Sequence, residues 1–118
     1  MKYTLLILLF GFTLVACDKD DDPKTSDCDT TDVTYTNTIA AIFDSSCAIA
    51  GCHVNGNEQS TLYSLEGYEN AKSSAGFGRI EGSINHEEGF SPMPKDASKL
   101  SACDIDKIEA WINAGYPE

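Results

Sequence analysis

The chain has 118 residues, enough for one domain, and carries 19 acidic against 8 basic side chains, a net charge of −11. That balance excludes a nucleic-acid ligand, which calls for a basic face, and leaves steering toward a basic protein partner or a simply well-solvated surface. A chain this short buries a modest core, so a staple, a metal or a cofactor is the expected supplement, and five cysteines are available to provide it.

In chain order, Lys2 precedes an apolar run over residues 5–12, broken only by Gly11, and small residues then lead to Cys17. This is the layout of a secretory signal peptide over residues 1–16. The run is short for a membrane span, although an uncleaved amino-terminal anchor is the competing reading. Leu14-Val15-Ala16-Cys17 resembles the lipobox of bacterial lipoproteins. The resemblance implies that Cys17 is lipidated and becomes the first residue of the mature protein, which fixes it to a bilayer. Loss of Lys2 leaves a mature net charge of −12. Residues 17–32 then read as a lipidated Cys followed by an acidic tether. Seven of the fifteen residues from 18 to 32 are Asp and none is a large apolar residue, too little to drive ordering. The acidic run is similar to the export signal of surface lipoproteins of the Bacteroidetes. That likeness implies a cell-envelope lipoprotein of the outer membrane, facing the periplasm or the cell surface.

From Val33 onward the composition becomes globular, giving a domain over residues 33–118. A helix is predicted over residues 37–45, capped by Thr36 or Asn37, with Ile39, Ile42 and Phe43 on one face. A short helix over 65–73 would carry Leu65, Tyr68 and Ala71. Residues 55–60 and 75–94 are rich in Gly, Ser, Asn and Pro and read as loops. The last helix is predicted over residues 102–113. Ser101 and Asp104 resemble a capping box, Ile105, Ile108, Trp111 and Ile112 share a face, Gly115 follows as a C′ residue, and Pro117 prevents continuation. Two good helices with long loops between them make a poor core alone, and a large buried cofactor would resolve that deficit.

Between the first helix and the loops stands Cys47-Ala48-Ile49-Ala50-Gly51-Cys52-His53. The standard c-type haem attachment signal is Cys-x-x-Cys-His. Here four residues separate the cysteines, and Gly51 can take the dihedrals that an outward bulge needs. Forty residues on, Ser91-Pro92-Met93-Pro94 places a Met in a stiff extended loop. With the closing helix, this pattern over residues 35–117 resembles the class I cytochrome c family, particularly small cytochrome-c-like lipoproteins of the Bacteroidetes. The resemblance implies an all-α, class I cytochrome c-like fold of few short helices and long loops around one covalent haem c. It implies thioether attachment at Cys47 and Cys52, His53 as the proximal iron ligand and Met93 as the distal one, with His86 the rival. Such ligation suits an electron carrier exchanging electrons with redox partner proteins, not an enzyme.

Once these roles are assigned, Cys28 and Cys103 are left over, which suggests one disulfide in an oxidising compartment; two free thiols are the alternative. Arg79 would meet a haem propionate or simply lie in solvent. Ile42, Phe43, Leu65, Tyr68, Ile80, Ile108 and Trp111 would line the haem pocket or the helix core. Other readings stand beside the haem. Cys47 and Cys52 could instead bridge each other, a Cys₂His zinc site lacks an obvious fourth ligand, and Met93 could be a gap filler. Two rivals to electron transfer follow: a haem subunit or sensor of a larger complex, and a haem-free, disulfide-stapled binding lipoprotein.

Overall fold

The computed structural model describes residues 28–55 and 63–118. The signal peptide, the lipid site at Cys17 and the tether up to residue 27 lie outside the described residues. Four helices, α1 (Ala40–Ser46), α2 (Tyr68–Gly76), α3 (Ile80–Asn85) and α4 (Ala102–Asn113), alternate with loops, and a π-helical turn, Tyr35–Ile39, leads directly into α1. The described residues contain no strand, so the fold is all-α, with short helices and long loops.

The first helical unit begins earlier than its apolar spacing predicts, because Thr34 supplies the cap. The Thr34 hydroxyl accepts from the Asn37 backbone N–H at 3.2 Å, and the Asn37 side chain accepts from the Thr34 N–H at 2.9 Å. This reciprocal box satisfies two amide donors that a helix start leaves unpaired. The following turn is wide: the Ile39 N–H reaches the Thr34 carbonyl, an i→i+5 bond. Ile39 and Phe43 are fully buried and Ile42 is half-buried.

The middle helix is shifted by three residues. Gly67 at φ +82° sets the turn before α2, so Leu65 is buried from the preceding segment and Ala71 and Ala75 carry the helix's apolar face. Helix α3 lies within a segment that composition assigns to loop. A glycine near its centre weakens any helical prediction. The fold requires that glycine, because a Cβ at Gly82 would stand 2.5 Å from the Phe90 ring. The last helix has the predicted bounds. Ser101 accepts from the Asp104 N–H at 3.1 Å, and Gly115 takes φ +80° beyond the end. Ile105, Ile108 and Trp111 are its buried face.

The two ends of the domain close on each other. Trp111 is fully buried, its ring 6.0 Å from Phe43, 6.2 Å from Tyr35 and 5.3 Å from Tyr116. The indole N–H donates to the Pro117 carbonyl at 2.9 Å, and the same carbonyl takes the Tyr35 N–H. The Tyr68 hydroxyl reaches the Tyr116 carbonyl at 2.9 Å, tying α2 to this junction. A disulfide joins Cys28 to Cys103, with Cα atoms 5.3 Å apart across 75 residues of sequence. The alternative of two free thiols at these positions is thereby set aside.

Two expectations on stability follow. Closing a loop of that length is worth about 4 kcal/mol in the chain-entropy account, so the Cys28→Ala/Cys103→Ala double variant should lose about that much in equilibrium urea unfolding. A loss within error of zero would contradict this role. Gly82→Ala should cost about 1–3 kcal/mol by overpacking. Adding Phe90→Ala to it should cost less than the sum of the two single changes, which a double-mutant cycle reads.

Candidate functional site

The segment that carries the most reactive side chains runs from the end of α1 to the start of α2. The chain leaves α1 with the Cys47 and Ala48 N–H groups both on the Phe43 carbonyl. It then doubles back. The Cys52 N–H bonds the Ile49 carbonyl at 2.9 Å, the His53 N–H bonds the Cys47 carbonyl at 3.0 Å, and Gly51 adopts φ +81°. The predicted outward bulge is therefore a closed, backbone-bonded loop. Cys47 turns inward against the core, while Cys52 is exposed. Both are thiols; neither is in a disulfide. Burial, with the nearby Cys52 thiol adding to it, pushes the Cys47 thiol up to about 11.

His53 is partly buried, with Nδ1 2.8 Å from the Tyr63 carbonyl. Its own carbonyl takes the Leu65 N–H at 2.9 Å. The next layer is polar and interlocked. Asn55 Oδ1 accepts from the Ser64 hydroxyl at 2.9 Å and from Asn70 at 3.0 Å, while the Glu66 carboxylate accepts from the Asn55 N–H at 2.8 Å. Buried Ser74 donates to the Ser64 carbonyl at 2.7 Å. These bonds hold the 47–55 loop against the start of α2. They display two aromatic rings beside it: Tyr63, 38 % exposed, and Phe77, 56 % exposed, meet edge to face with centroids 5.5 Å apart. Ile49, at the outer part of the Cys47 loop, is 44 % exposed.

Met93 and His86 lie in a different loop. His86 ends α3 in a left-handed conformation, φ 58°, and its Nε2 is 3.0 Å from the Met93 carbonyl. The Met93 N–H bonds the Ser83 carbonyl at 3.0 Å. Lys99 reaches the Asn85 carbonyl at 2.9 Å, so this loop is fastened to the C-terminal end of α3 by backbone and side-chain bonds together. Arg79 sits over the Phe90 ring, 5.5 Å from its centroid, which is the position of a surface cation on an aromatic face.

No protein-family model, curated protein or solved structure matches the chain.

This arrangement corrects the cytochrome reading of the sequence. Among the described residues, no three or more His, Cys, Asp or Glu side chains are grouped as ligands for a metal ion. The haem c, its thioether bonds at Cys47 and Cys52, and its iron ligation by His53 and Met93 are therefore withdrawn, and with them electron transfer as the function. The same finding removes the haem subunit or sensor, and the zinc site with it. The physical reason lies in the core. Two well-formed terminal helices with long loops between them lead one to expect a large cofactor in the space between them. In the structure Ile39, Phe43, Ile108 and Trp111 fill that junction with their own side chains, none more than 1 % exposed, and a disulfide closes it. The motif also departs from Cys-x-x-Cys-His by two residues, and these two residues belong to the hydrogen-bonded loop. All-α is retained; nothing ties the fold to the class I cytochrome c family.

Sequence reasoning did not single out Tyr63 or Phe77. They stand in Ser- and Gly-containing surroundings with no periodicity, and only the folded chain brings the two rings together.

The thiolate is the nucleophile in alkylation, so at pH 8 iodoacetamide should modify Cys52 well before Cys47, and Cys47 should become competent only as the pH approaches 11. Equal rates at pH 8, read by peptide mass spectrometry, would contradict the burial of Cys47. Ser74→Ala leaves the buried Ser64 carbonyl without its donor and should cost about 1–3 kcal/mol in urea unfolding.

Proposed function

We propose that this chain is a disulfide-stapled binding module, carried to the bacterial cell envelope by its signal peptide and held there by lipid on Cys17. The acidic stretch after Cys17 serves as the tether as far as Cys28, where the disulfide joins it to the domain that carries the contact surface. The observation that carries the reading is the pairing of a covalently closed, self-filled all-α core with an outward-facing aromatic pair, Tyr63 and Phe77, beside the loop over residues 47–53. Aromatic side chains bury large area at small entropic cost and are enriched where proteins meet. A rigid scaffold that presents them needs little reordering on binding, which favours affinity. The acidic balance favours a protein partner whose contact face is rimmed with basic residues, and it disfavours nucleic acid. The outer membrane, with the domain facing the periplasm or the surface, is the location consistent with the lipobox and the acidic run that follows it.

A photo-crosslinking residue in place of Phe77, in cells producing the full-length protein, should give a discrete protein adduct. Tyr63→Ser should reduce that adduct strongly, and the same probe at exposed Asn113 should not give it. Identical products from both positions, or no adduct from Phe77 in protein shown to be folded and exported, would overturn the reading.

A further inference from the structure

The binding reading makes no use of the two thiols at Cys47 and Cys52, and they carry an inference independent of it. The 3.0 Å bond from the His53 N–H to the Cys47 carbonyl closes the loop that contains them. The Cα of Cys47 and the Cα of Cys52 each lie only two covalent bonds from one end of that contact. The i→i+3 bond from the Cys52 N–H to the Ile49 carbonyl folds the intervening residues outward. The two Cα atoms are thus held near each other by the backbone, which is one of the two conditions for a disulfide; the other, that the two Cβ atoms face each other, asks for a side-chain turn at exposed Cys52. The thiols differ in access: Cys52 is exposed and Cys47 faces the core. The same chain already holds a disulfide between Cys28 and Cys103, so an oxidised cysteine pair is compatible with its fold.

We propose that Cys47 and Cys52 form a thiol pair that is reversibly oxidised to a second intramolecular disulfide by exchange with a small-molecule disulfide. The exchange balances in two displacements. With glutathione disulfide as oxidant, the Cys52 thiolate attacks one sulfur of the S–S bond. That bond breaks, a mixed disulfide forms on Cys52, and one glutathione leaves as thiolate and takes up the proton that Cys52 released. The Cys47 thiolate then attacks the Cys52 sulfur of the mixed disulfide. The Cys47–Cys52 bond forms and the second glutathione leaves, taking up the proton from Cys47. Two protein thiols are oxidised and one glutathione disulfide is reduced to two glutathiones. The accessible thiol attacks first and the sheltered one resolves, the usual order in thiol–disulfide exchange.

The test uses folded protein with the Cys28–Cys103 bond intact, equilibrated with glutathione disulfide, quenched with acid, and then unfolded and alkylated so that both thiols are read. Intact mass and non-reducing peptide maps should show loss of both alkylatable thiols and a cross-link inside the 47–52 peptide. Added glutathione should restore both thiols while Cys28–Cys103 persists. Cys47→Ser should stop at a glutathione adduct on Cys52, and Cys52→Ser should gain little adduct. Retention of both thiols in the wild type, arrest at the mixed disulfide, linkage between two molecules through Cys52, or failure of glutathione to reverse the bond would each overturn the proposal. The wild-type peptide map decides the matter even if Cys47→Ser perturbs folding.

Discussion

Trp111 makes ring contacts with Tyr35, Phe43 and Tyr116 and gives its indole proton to the Pro117 carbonyl, all without solvent exposure. The rest of the domain depends on that junction. A domain this small has little interior, and each buried ring carries a large share of what opposes chain entropy. The π-helical turn presents Tyr35, α1 presents Phe43, and the turn after α4 returns Tyr116 and Pro117 to the same point. The Cys28–Cys103 disulfide then fastens the segment before the first helix to the first turn of α4. Burial and covalent closure act at the two ends of one helix. The core therefore forms between elements that sequence separates most widely.

That closure frees the surface for contact. With α1 and α4 packed at Trp111, the described part of the chain between α1 and α2 gives the core Leu65, with Cys47 and Ala48 packed against its edge. Its polar groups bond one another and the helix that follows: Asn55, Ser64 and Glu66 of the loop join Asn70 and Ser74 of α2 in one network, and Tyr63 and Phe77 face outward beside it. Cys47 is drawn inward at the same place, and burial keeps its thiol protonated at neutral pH. The sheltered thiol next to an exposed one is a consequence of the way the 47–53 loop closes on itself.

The sequence shows the last helix almost completely, since Ser101, Asp104, the Ile and Trp spacing, and Gly115 all act locally. It shows the first helix less well. Periodicity alone cannot see that Thr34 and Asn37 cap each other or that the opening turn is wide. Helix α3 escapes because Gly82 looks like a breaker, and the Phe90 ring that requires it is remote from any local signal. The Cys28–Cys103 pairing is suggested by cysteine count and holds in the structure. The haem reading fails on a different ground. Cys47, Cys52 and His53 make a familiar-looking stretch, and Met93 follows at a plausible distance. Yet sequence cannot show that aromatic side chains already fill the space between the terminal helices, or that the His86 ring is engaged with the Met93 carbonyl.

The most direct measurement is a non-reducing peptide map, with intact mass, of the folded protein. The account predicts a peptide cross-linked between Cys28 and Cys103, and a 47–53 peptide whose cysteines carry nothing beyond alkylation or sulfur–sulfur bonds. A prosthetic group bound through thioethers at Cys47 and Cys52, or Cys28 paired with a cysteine other than Cys103, would contradict it.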